Sequence, residues 1–370
     1  MRTSFDTDIF VLGGGPAGLA VAIAAQQAGF KVVLADAKRP PIDKTCGEGL
    51  MPDSLWALRQ LGVNLRPDAG RCFRGIRFQN DKHSIAADFP SGSGIAMRRT
   101  VLHSLLAERA GQVGVDLLWN QPVTAIAGDV VRMGEQQLRA RWIVGSDGAQ
   151  SSVRRWAGLE SFSQNSQRFS YRRHYRMKPW SDYVEVFWGK DCQFYVSSVS
   201  ADEVCVALLT RSPRIRIEDA LLQAPSLANR LKGCEASTLE RGAVAAMRRL
   251  RRVTCGNVAL AGDASGSIDP ITGEGLCLAF RQAIALAAAL QSGDLTPYES
   301  AHHRLSRRPR FMADLMLLMD RSVFLRERSL AAFESHPHLF ANLLAMHVGE
   351  WTPARFALTA TRLGWQVITA

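Results

Sequence analysis

The chain has 370 residues, 47% hydrophobic and 21% charged, a composition that supports a substantial core and excludes a disordered chain. Its formal charge of +11 is carried mainly by arginine, since only seven of the 45 basic residues are lysines; with no nucleic-acid-binding module or aromatic-interleaved basic platform, that charge does not point to nucleic acid. Seven scattered cysteines without a CxxC pair exclude a disulfide framework and structural zinc, and fit a reducing cytoplasm.

The first predicted strand, Ile9–Leu12, runs into Gly13-Gly14-Gly15-Pro16-Ala17-Gly18 and an Ala-rich helix from Pro16 to Ala28. Gly13 suits the tight turn, Gly15 lets backbone approach a pyrophosphate, and Gly18 lets the helix pack on the strand. Pro16 and Ala17 open the helix, whose N-terminus offers free amides to phosphate. A second apolar run, Val32–Ala35, ends in Asp36, eighteen residues after Gly18, close to the spacing at which an acid binds ribose hydroxyls. The unit binds an adenine dinucleotide; the motif alone does not separate FAD from NAD.

Residues 98–110 carry the period of an amphipathic helix, 115–119 and 122–126 read as strands, and Trp142–Val144 is a buried strand delivering Gly145-Ser146-Asp147-Gly148. Between about 167 and 252 the texture changes. Alternating runs at 183–188, 193–196 and 204–209 predict successive antiparallel strands, an insertion into the first domain. The strand Val258–Ala261 then leads into Gly262-Asp263, and a long helix follows from 275 to 291. Beyond Pro297 the spacing is helical, and the Met/Leu stripe at 312–319 reads as core rather than a ligand groove. No segment has the length and apolarity of a membrane span, because Arg281 interrupts Leu276–Leu290.

The three motifs in this order, Gly13–Gly18, Gly145–Arg154 and Gly262–Ala264, resemble those of the p-hydroxybenzoate hydroxylase superfamily. The resemblance implies an α/β fold: a Rossmann-like FAD domain built from 1–75, 95–166 and 253–296, an antiparallel substrate-binding sheet from 76–94 and 167–252, and a helical C-terminal region over 297–370. It also implies FAD, with Gly13, Gly15 and Gly18 at the pyrophosphate, Asp36 at the adenosine ribose, Asp147 supporting the loop, and Gly262 and Asp263 at the ribityl or pyrophosphate portion. Arg98, in preference to Arg99, is expected near the phosphates, and Val123 beside the cofactor. NADH or NADPH would serve as transient electron donor.

Within the superfamily, Cys46-Gly47-Glu48-Gly49-Leu50 and Pro270-Ile271-Thr272-Gly273-Glu274-Gly275-Leu276 look like the geranylgeranyl reductase branch. Gly273, Gly275 and Leu276 would lie against the flavin ring, where a helix N-terminus meets the charge that develops on reduction. Cys46, Glu48 and Glu274 are candidate catalytic groups; the competing reading is a small buried hydrophobe for Cys46 and surface or helix-terminal carboxylates for the other two. Phe187, Trp188 and Tyr195 are candidate substrate walls, although alternation turns about half of such residues away.

The expected substrate is a lipophilic polyketide-like, isoprenoid or aromatic small molecule, reduced or dehydrogenated at a carbon–carbon bond. The alternatives are an NAD(P)H-dependent monooxygenase and, from another class, a non-catalytic flavin-binding redox partner. The arginines at 168–176 with Lys178, and those at 248–252, fit either a solvated basic face or attraction of an acidic partner: donor phosphates, a carrier-bound or acidic substrate, or an anionic membrane surface. The histidine pairs at 302–303 and 336–338 lack metal-ligand spacing, so no metal is expected.

Overall fold

The computed structural model describes residues 5–66 and 68–350. Its first sheet places Thr7–Leu12 between Val32–Asp36 and Gln136–Gly145, all parallel, with Asp116–Trp119 beyond one neighbour and Val258–Leu260 beyond the other. Strands covered on both faces need near-continuous apolar runs, and Ile9, Phe10, Val11, Val33, Leu34, Ile143 and Val144 are all buried. The helix Pro16–Gln27 is apolar on most of its circumference because it is enclosed, packing against Gly275–Ser292 and Arg99–Gln112.

Gly275–Ser292 is long and apolar enough to cross a membrane, which corrects the sequence expectation that no segment is. Its buried face, including Phe280, Ala283, Leu286 and Leu290, belongs to the main core. The expected strand at 122–126 forms only at Ala125–Ala127; Pro122 cannot donate to a ladder, and it and Val123 lie in the preceding loop.

A second sheet of nine strands is mainly antiparallel. Phe162–Arg176, Glu203–Thr210, Cys192–Ser198 and Tyr183–Trp188 are neighbours in that order, and Gly75–Gln79 joins Tyr183–Trp188 in parallel. Register decides which side chains face inward: Val186 pairs with Tyr195, and Phe187 with Phe194. Adjacent residues alternate faces, so Phe187 and Phe194 enter the separate core beneath helices Ile217–Leu221 and Pro225–Leu231.

Three tail helices, Thr296–Arg321, Val323–Ser335 and Pro337–His347, pack on the Pro270–Thr272 turn and the edge strand Ser84–Asp88. A buried ion cluster fastens them. Arg168 on the sheet lies 3.1 Å from Asp269 before the turn and 2.7 Å from Asp320 on the first tail helix. The expected helical region at 351–370 lies outside the described residues.

Candidate active site

One continuous cavity of about 950 Å³ runs from the first glycine motif to the tail helices. At its first end Gly13 has φ +110°, and a Cβ there would lie 2.5 Å from the Ser146 carbonyl oxygen. A Cβ on Gly18 would meet the Gly13 carbonyl oxygen at 1.8 Å, so Gly18 serves helix–strand contact rather than lining the cavity. Gly15 is different: a Cβ there meets no protein atom within 4 Å, and the residue lines the cavity with Pro16 and Ala17. The groove above the helix N-terminus is therefore reserved for something other than protein.

Asp36 lines the same end, where its carboxylate accepts from the Gly14 and Lys38 amides at 2.7 and 2.8 Å. The buried His103 ring, its basicity lowered by burial, lies 2.8 Å from the Gly14 carbonyl and steadies the turn. Asp147 accepts from the Ser152 amide at 2.6 Å, at the start of the short helix Ser152–Trp156 that Ser151 caps. Lys38, Lys44 and Arg99 also line this end and supply the positive charge a pyrophosphate needs. Asp263 is 2.6 Å from Lys44; burial opposes its charge, but the Lys44 ammonium holds its carboxyl below the usual range.

Midway, Gly273 (φ +70°) and Gly275 line the cavity, and a Cβ on either would meet no protein atom within 4 Å. Leu276 and Val123 also line it, as does Gly262, whose amide donates to the Gln282 side chain at 2.8 Å. Bare backbone at the start of an 18-residue helix fits a planar ring that gains negative charge. The residues present thus fit FAD along its length.

Opposite this face, Cys46 and Glu48 line the cavity. The Glu48 amide donates to Cys46 Sγ at 3.3 Å. The Glu48 carboxylate accepts from the Arg99 amide and Arg172 Nη1, both at 2.9 Å, and lies 2.7 Å from His174 Nε2. Arg172 also pairs with Asp43 at 2.8 Å. Glu48, His174 and Cys205 bring their ligand atoms within 4.8 Å of one another, but the Arg172 guanidinium already supplies the countercharge, so the group is a clamp on the loop.

Several expected site residues lie elsewhere. Arg98 is drawn to Glu203 and pairs with it, while the next residue, Arg99, faces the cavity. Glu274 turns away from the cavity toward Arg308 (3.1 Å) and His347 (3.5 Å); burial raises its pKa. Phe187 faces the opposite core, and Trp188 stands one layer back, edge-on to Phe78. Tyr195 lines the cavity, and its hydroxyl donates to the Ile271 carbonyl at 2.7 Å, holding the turn before Gly273. Arg168 and Arg172 are buried in pairs with Asp269 and Asp43, Arg173 pairs with the exposed Glu218, and Arg176, 3.7 Å from Glu235, stays at the surface.

The second half of the cavity contains the largest departure. Met312, Leu315, Met316 and Met319 line it, joined by Phe333, Phe340, Leu343 and Leu344. The Met/Leu stripe lines the cavity as well as contributing to the core. His103, Lys44 and this wall were missed by sequence reasoning; only the Met enrichment of the stripe signalled an adaptable surface.

Residues 6–293 match the family described as FAD binding domain. Over 342 residues the chain is 25% identical to a menaquinone reductase of Mycolicibacterium smegmatis, covering 80% of this chain and 78% of that protein. Over 324 residues it is 24% identical to a digeranylgeranylglycerophospholipid reductase of Methanothermobacter thermautotrophicus, covering 79% of each. Among solved structures it resembles a flavoprotein/dehydrogenase from Cytophaga hutchinsonii, with a TM-score of 0.82, 18% identity and 98% of each chain covered.

Proposed function

Because this chain belongs to the FAD binding domain family and is an FAD-dependent oxidoreductase, we propose that it reduces a carbon–carbon double bond in a long, isoprenoid-like lipid. The observation that carries this is the continuity of the cavity: its glycine-lined end leads without interruption into a methionine, leucine and phenylalanine wall. Such a wall offers apolar contact along a chain and few hydrogen-bonding partners. The menaquinone and digeranylgeranylglycerophospholipid reductases, both named for prenylated lipids, support the same substrate class and the same direction of reaction.

FAD, when bound and reduced, supplies hydride to one carbon of the alkene. The protein's part is to hold the lipid, exclude water and deliver a proton to the other carbon. Cys46 is the proton donor in this reading: its thiol lines the cavity, and the Glu48 amide is aimed at the sulfur that remains after the proton leaves. Glu48 itself accepts from three donors and serves to hold the loop. NADH or NADPH would reduce the flavin, binding transiently.

The test is anaerobic: holoenzyme whose flavin has been reduced is mixed with a polyprenyl lipid. Reappearance of oxidised-flavin absorbance supports the reading. A spectrum that stays bleached until oxygen is admitted contradicts it.

A further inference from the structure

We propose that the mouth of the cavity docks on an anionic lipid bilayer, so that substrate passes from membrane to active site without crossing water. The proposal rests on the lipid-reductase reading and adds where the lipid enters.

Val244, Phe311 and Leu318 line the cavity and are also 55%, 42% and 54% exposed. Apolar side chains that are both wall and surface mark an opening. At the junction of the first two tail helices, Val323 and Phe324 extend this surface, exposed by 48% and 65%, beside Leu325, which again lines the cavity. Of eleven large exposed hydrophobic residues among the described residues, four fall between 311 and 324, so the patch is local rather than scattered.

The charge around it has one predominant sign. Phe311, Leu315 and Leu318 follow helical spacing, and the exposed Arg304, Arg307 and Arg321 continue that stripe at both ends. Arg328 lies over the Phe324 ring at 4.8 Å. Asp314 is the exposed acid within the stripe, and Glu327 nearby is held by Asn80. An apolar patch bordered by arginines is complementary to an anionic lipid surface, where the apolar groups enter the interface and the cations meet headgroups.

The experiment sediments FAD-loaded protein with phosphatidylcholine vesicles that contain or lack phosphatidylglycerol. Wild type is expected to bind the anionic vesicles and to weaken with salt. The double variant Val323→Ser/Phe324→Ser, which changes no cavity-lining residue, should bind about tenfold more weakly, and Arg321→Gln should reduce the salt dependence. Turnover of detergent-dispersed lipid should persist in the double variant, while turnover of vesicle-embedded lipid falls. Equal binding by wild type and the double variant, equal binding to neutral vesicles, or loss of a dimer as the variant's only effect would overturn the proposal. Vesicle binding without turnover in either presentation would instead refute the lipid-reductase reading and leave the docking surface standing.

Discussion

Glu48 and His174 meet in the interior, carboxylate oxygen to ring nitrogen at 2.7 Å, with each side chain almost wholly buried. Glu48 belongs to the loop carrying Cys46, and His174 to the long central strand of the second sheet. The pair therefore ties the cavity-lining Cys46 loop to the second sheet. Glu48 has φ +61°, and the shared Arg172 contact at 2.9 Å helps hold this strained position.

Removing the carboxylate leaves the buried Arg172 cation short of one partner. Glu48→Ala is expected to cost about 3 kcal/mol of stability, measured by denaturant unfolding of the holoprotein. A stable variant that has lost only turnover would instead make Glu48 a chemical participant.

Gly15 separates cofactor binding from folding. Its backbone, at φ −70° and ψ 173°, suits any residue, and its Cβ would meet no protein atom. Gly15→Val should preserve apoprotein melting within a few degrees yet weaken FAD retention by more than about tenfold, because the new side chain occupies the phosphate groove. Unchanged flavin content after gel filtration would contradict the assignment of that groove.

Much of this end was legible because its geometry requires particular residues locally: positive φ at Gly13, close approach at Gly18, and free amides above Gly15. The far end was less legible. A Met/Leu helix has one period whether it faces core or cavity, so Met312 to Met319 revealed an apolar face without what it faces. Alternation likewise showed that Phe187 and Tyr195 belong to strands, but only the pairing of Phe187 with Phe194 and Val186 with Tyr195 assigned their sides. Arg98 and Arg99 are neighbours at a helix start, and the distant Glu203 decides which one faces away.

In the proposed reaction Cys46, which lines the cavity, delivers the proton. Cys46→Ala should lower product formation by about a hundredfold, while reduction of bound flavin by the proposed donor, NADH or NADPH, keeps its rate. Rapid kinetics of the two half-reactions distinguishes them; undiminished product formation removes the thiol from the mechanism.

His302 lies 2.9 Å from Ser265 and links the first tail helix to the Gly262–Ser265 turn. Burial, with Arg310 and His303 adding to it, lowers its pKa from 6.5 to about 3. Below pH 6.5 the unfolded chain takes up a proton that the folded chain refuses, so stability falls with pH until about 3. At about pH 4.5, His302→Gln should have recovered about 3 kcal/mol relative to the wild-type decline. Parallel stability curves for the two proteins would show that His302 does not govern this slope.

The central claim is settled most directly by the product. Reduced holoenzyme, given a polyprenyl lipid without oxygen, should yield lipid heavier by two hydrogens in mass spectrometry, both of them deuterium when the reaction is run in heavy water, because the hydrogens of the thiol and of the reduced cofactor both exchange with solvent. Product formed only in oxygen, and heavier by one oxygen atom drawn from labelled dioxygen, would contradict it.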